Sequence, residues 1–116
     1  MKYLHTIIVI LATILLILFC QSLARAESWT DDQIADAIYK AENSKKYPYG
    51  VKSINTYGNI AYARKICLNS IKNAKKRYIK AGCKGDFIAF MGQRYSPPST
   101  NPNWVRLVHY FLKKGG

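Results

Sequence analysis

The chain has 116 residues, with 18 Lys or Arg against 6 Asp or Glu, and a formal charge of +12. That length excludes more than one ordinary domain, and the charge favours an anionic partner. The 49% hydrophobic content overstates the core, because a large share of it lies at the N-terminus.

Met1, Lys2 and Tyr3 form a short positive start. The run 7–19 is apolar except for Thr13, which is the length of the apolar region of an export signal and short for a membrane span. Ala24 and Ala26 place small residues where a signal peptidase reads, so a signal peptide over 1–26 and a mature domain over 27–116 are expected. Cys20 follows the bulky Phe19, against the small residue that a lipoprotein signal wants. A retained leader would instead anchor the domain. Either way the domain is expected to be exported, to the periplasm or the extracellular side. Without Lys2 and Arg25, 16 basic residues face the same 6 acids, a net +10 over 27–116. The polyanions within reach there are wall carboxylates, wall or outer-membrane phosphates and lipid headgroups. DNA enters only through a transfer or uptake role, and no specific nucleic acid is expected.

The first mature helix is announced by Thr30 and Gln33, a capping box, with Asp31, Asp32 and Asp36 complementing the dipole of its opening turns. Ile34, Ala37, Ile38 and Ala41 recur at helical spacing, and the helix should run to about residue 44, before the turn chemistry of Tyr47, Pro48, Tyr49 and Gly50. A second helix is expected from 56–59 to about 81, with Ile60, Ala63, Cys67, Ile71, Ala74 and Tyr78 as its apolar stripe and Gly82 ending it. Its other faces are strongly basic. Asp86 can cap a third helix reaching about Tyr95, where Ser96, Pro97 and Pro98 forbid continuation. A last helix should start near Asn103, with Trp104, Leu107, Val108, Phe111 and Leu112 apolar. There is no alternating strand pattern, so an all-α domain of about four helices follows. If the second helix is continuous, Cys67 and Cys83 stand roughly 20 Å apart at about 1.5 Å per residue, beyond disulfide reach.

Few residues can carry chemistry. The mature chain has one His, His109, and two Cys at unrelated spacing, which does not make a zinc site, so neither a metal nor a cofactor is implied. A Cys67–His109 nucleophile pair conflicts with the place of Cys67 on an apolar stripe, and His109 reads as a surface residue. Among the carboxylates, Asp86 suits a cap and the early Asp residues suit a helix start. Glu42 breaks the local rules: it follows Ile38 by four residues and Ile34 by eight, which turns it to the apolar side, at a helix C-terminus where the dipole disfavours negative charge. A carboxyl held against apolar groups keeps its proton nearer neutral pH, as a general acid requires; pairing with Lys45 or Lys46 is the plainer alternative. Tyr47, Tyr49, Tyr57, Tyr95 and Trp104 lie in or beside loops, and such rings offer an apolar face and a polar edge to sugars.

The segments AIYKAENSKKYPYGVKSI, ARKICLNSIKN, DFIAFMGQRYSPP and NPNWVRLVHYF together resemble the small lysozyme-like proteins related to lytic transglycosylases and goose-type lysozymes. The resemblance spans nearly the whole mature chain and rests on a helix-borne Glu, a Tyr-Pro-Tyr-Gly turn and a Gly-x-Arg-Tyr-x-Pro segment. It implies a compact lysozyme-like helical domain in which Glu42 is the single catalytic acid and base. It further implies that Tyr49, Gly50 and Ser53 fall in the glycan-contacting turn, and that Tyr95 is the cleft tyrosine. Trp104 joins Tyr49, Ser53 and Tyr95 as an expected substrate contact. The Gly-Leu-Met-Gln stretch of larger members is missing, and the small relatives often carry Cys where Ser96 stands, so the resemblance implies that a bridge to Cys67 is absent here. The expected partners are peptidoglycan glycan strands and an anionic wall or membrane surface. The competing expectation is a cationic wall-binding or membrane-surface protein without catalysis, which explains the charge and the aromatics equally well and leaves Glu42 unexplained. Oligomeric state is not legible.

Overall fold

The computed structural model describes residues 3–26, 29–52 and 59–115. Among them all regular structure is helical: α1 (Leu4–Ala26), α2 (Asp31–Glu42), a 3-10 turn (Pro48–Gly50), α3 (Ile60–Lys80), α4 (Phe87–Tyr95) and α5 (Trp104–Gly115). The all-α expectation holds, with the apolar N-terminal run itself helical. Leu4, Ile7, Ile8, Leu11 and Leu15 of α1 are exposed. Among the described residues no helix is long and apolar enough to cross a membrane.

The α2 helix begins as its sequence dictates. The Thr30 hydroxyl accepts from Gln33 N–H at 3.1 Å, and the Gln33 side chain accepts from Thr30 N–H at 2.8 Å. It ends at Glu42, two residues short of the expected limit, because Asn43 turns left-handed at φ 46° and donates its N–H to the Tyr39 carbonyl. Ile34, Ala35, Ala37 and Ile38 are buried. The acids of its first turns do more than face the dipole. Arg64 of α3 reaches Asp36 at 2.7 Å and Asp32 at 3.1 Å, and Lys75 pairs with Asp31.

Asn59 caps α3 by accepting from Tyr62 N–H at 3.0 Å. Ala63, Cys67, Ile71 and Ala74 form its buried stripe, as the spacing predicts, but Ile60 is 51% exposed. The first residue of a helix precedes the point where α3 meets its neighbours, so periodicity alone misplaces it. The helix is unbroken to Lys80, and Cys67 is a free, fully buried thiol that forms no bridge to Cys83. Tyr78 packs edge-on against Phe87 and Phe90 at ring separations of 5.4 and 5.3 Å, joining α3 to α4.

Asp86 caps α4 by accepting from Ala89 N–H at 2.8 Å. The same carboxylate oxygen lies 2.8 Å from His109 Nε2 on α5. His109 is therefore not the plain surface residue expected: it is half-buried and meets the Trp29 ring edge-on at 5.8 Å. On α5, Trp104, Val108 and Leu112 are buried, while Leu107 and Phe111 are half-buried. This helix packs along α2, α3 packs on α2 and α4, and α4 closes against α5. The core between them holds Ile34, Ile38, Cys67, Ile71, Ile88, Met91, Trp104 and Val108. Gly92 of α4 lets it close: a Cβ there would lie 3.0 Å from Trp104 Cε3 and 3.3 Å from Val105 Cγ2.

Candidate functional site

The chain leaves α2 at Glu42 and is folded straight back by the Pro48–Gly50 turn. Tyr49 and Gly50 both have left-handed backbones, at φ 60° and 72°. For Tyr this costs about 1–2 kcal/mol, and three contacts hold it there. Its hydroxyl accepts from Arg64 Nη1 at 3.1 Å, its carbonyl accepts from the Tyr95 hydroxyl, and its ring lies 5.0 Å from that of Tyr39. Gly50 then presses on the Glu42 carboxyl so closely that a Cβ would lie 2.6 Å from Cδ, 2.7 Å from Oε1 and 2.9 Å from Oε2. Only glycine satisfies both the backbone angle and the approach.

From the other side, the indole Nε1 of Trp104 donates to Glu42 Oε1 at 3.0 Å. Trp104 itself stacks obliquely on Tyr95 at 5.6 Å. Glu42 is thus clamped between the turn and α5, half-buried, with its pKa raised from the ordinary 4.5. Burial is the dominant cause; the indole hydrogen bond and the positive charge of Lys52 oppose it without cancelling it. Among the described residues Glu42 forms no ion pair with Lys45 or Lys46, so its partner is the indole rather than a neighbouring ammonium.

Beside this clamp runs a groove of ≈ 460 Å³. The turn contributes Gly50, Val51 and Lys52; α3 contributes Ile66, Ser70, Asn73 and Arg77; α4 contributes Met91, Arg94 and Tyr95. The α3 and α4 sets follow helical spacing, one face of each helix. Glu42 does not line the groove directly. It borders it through Gly50, a lining residue that packs against its carboxyl, and through Tyr95, whose hydroxyl feels its charge.

The residues expected to contact substrate are placed unequally. Tyr95 is half-buried and lines the groove. Tyr49 is only 4% exposed, with its hydroxyl held by Arg64, and Trp104 is fully buried. Neither ring has an open face in this structure: Tyr49 shapes the turn and Trp104 hydrogen-bonds Glu42. Ser53, and Tyr57 with it, lies outside the described residues. Tyr47 is half-buried, its ring 5.4 Å from Lys46 Nζ and 5.8 Å from Lys52 Nζ.

Cys67 sits beneath the same site, where burial pushes its thiol up to about 11. It interacts with the Tyr95 hydroxyl, whereas His109 is engaged by Asp86, so the two do not form a nucleophile pair. Arg64 is the functional-site residue that the sequence concealed, since its partners are 15, 28 and 32 positions away along the chain. Among the described residues no group of three or more His, Cys, Asp or Glu is arranged to hold a metal ion.

Comparison with family models, with curated proteins and with solved structures finds no match to this chain. The functional reading therefore rests on the clamp, the groove and the sequence motifs.

Proposed function

We propose that the chain is an exported, lysozyme-like glycosidase that cleaves peptidoglycan, acting as a lytic transglycosylase with Glu42 as its single acid and base. The observation that carries this reading is a lone carboxyl with a raised pKa, held by Trp104 and Gly50 at the edge of a groove. Protonated Glu42 gives its proton to the glycosidic oxygen as the bond to the anomeric carbon breaks and positive charge develops on the ring. The resulting carboxylate then takes the proton of the substrate's own hydroxyl as that oxygen closes on the anomeric carbon, forming an anhydro sugar. A hydrolase with two carboxylates needs a second acid about 5–9.5 Å away. The leading candidate, Asp86, is occupied with capping α4 and holding His109.

Because the acid form is the active one, the rate falls as pH rises through the raised pKa of Glu42. The test is mass spectrometry of the products from purified peptidoglycan treated with wild type and Glu42→Gln. Anhydromuramic ends from wild type alone support the proposal, and reducing ends assign hydrolysis instead. Unchanged glycan with retained wall binding leaves the cationic binding protein as the reading, which the exposed Lys72, Lys76 and Lys80 of α3 would serve.

A further inference from the structure

The groove has a charge pattern that cleavage of a neutral sugar chain does not require. Lys52, Arg77 and Arg94 line it from the turn, α3 and α4, and among the described residues its lining includes no carboxylate. Among the described residues, neither guanidinium donates a hydrogen bond nor joins an ion pair, and the Lys52 ammonium forms no ion pair. The chain does pair its cations elsewhere: Arg64 takes two aspartates and Lys75 takes another. Three like charges around one concavity repel one another and disfavour the folded state, so their convergence contributes nothing to the fold. Ser70 and Asn73 add neutral hydrogen-bonding groups on the α3 side, and Arg forks match carboxylate geometry in two-point contacts.

We infer that this groove is a subsite for carboxylates carried on the glycan strand by its peptide side chains, with Arg77 and Arg94 as the residues that select an acidic strand over a neutral one. The inference rests on the glycan-strand reading above and specifies its substrate: strands bearing free carboxylates, in preference to amidated or peptide-free ones. Lys52 serves both parts of the site, since its charge also acts on Glu42.

The test is calorimetric binding of the full chain to a muramic-acid disaccharide carrying a peptide with free carboxylates, to the same fragment with its carboxyls amidated, and to a neutral chitin tetramer. Wild type should bind the free-carboxylate fragment at least tenfold more tightly than the other two. The Arg77→Gln/Arg94→Gln double variant should lose that preference while its Tm stays level or rises, because repulsion has been relieved. Equal binding of the three probes, or an unchanged preference in the double variant, overturns the inference, as does inorganic phosphate displacing the fragment at comparable concentration, which marks a general anion site. Cleavage without charge preference would remove the subsite and leave the Glu42 proposal standing. Charge preference without cleavage would do the reverse.

Discussion

At the position of Glu42 two requirements conflict. Its desolvation costs the fold whenever the group is ionised, and that cost raises its hold on the proton. Since its folded pKa lies above the ordinary 4.5, the folded state holds the proton more tightly than the unfolded chain. Stability therefore falls as pH climbs from the ordinary carboxylate range to the folded pKa, and the penalty is complete above it. Glu42→Gln has no such proton, so its Tm should gain on wild type across that window and hold a constant lead at higher pH. Thermal melts from pH 4 to 8 would show this; a difference independent of pH would mean that the carboxyl is not perturbed. Gly50 is the complementary case. Gly50→Ala forces a left-handed Ala, costing about 1–2 kcal/mol, and drives its Cβ into the Glu42 carboxyl. We expect a Tm loss of several degrees and, if the chain is the proposed glycosidase, a drop in cleavage rate on the order of 100-fold, as displacement of a reacting group by about 1 Å commonly gives. Loss of stability without a disproportionate loss of rate would argue against Glu42 as the acid.

The helices show where a sequence speaks plainly. Their ends depend on contacts three or four residues apart, so Thr30 with Gln33 and Asp86 could be found by inspection, and both caps form; Asn59, within the expected start of α3, caps that helix as well. The departure of Glu42 from the polar face was legible for the same reason, being set by its spacing from Ile34 and Ile38. What holds it was not. The Trp104 donor lies 62 positions from Glu42, the Tyr95 hydroxyl that donates to the Tyr49 carbonyl lies 46 from Tyr49, and both depend on how α4 and α5 dock rather than on any local pattern. The exposed Ile60 is the converse error, a locally good match that tertiary packing ignores. Asp86 joins the two levels, because it caps α4 and also binds His109 of α5. Asp86→Ala should thus cost more than a surface cap alone: about 1 kcal/mol for the cap and up to about 1 kcal/mol for the partly exposed ion pair. A double-mutant cycle with His109→Ala, read by denaturant melts, separates the two; coupling near zero would leave only the cap.

Across the described residues, the core is assembled by α2, α3, α4 and α5 with Tyr49 and Val51 at the turn. The clamp likewise draws on the turn and these four helices: Glu42 from α2, Arg64 from α3, Tyr95 from α4 and Trp104 from α5. Folding and site assembly are for that reason one event. A site built on any single helix could survive partial unfolding, but this one requires α5 to lie on α2 before Glu42 acquires its donor, and α4 to lie near the turn before Tyr49 is fixed. The full chain should accordingly melt in a single transition. In a Trp29→Phe background the Trp fluorescence change and the loss of helical circular dichroism should share one midpoint, since buried Trp104 then alone reports the clamp and the dichroism reports the helices. Separated midpoints, with fluorescence changing first, would show α5 detaching while α2–α4 persist, and the acid would then lack a fixed environment over the interval between them.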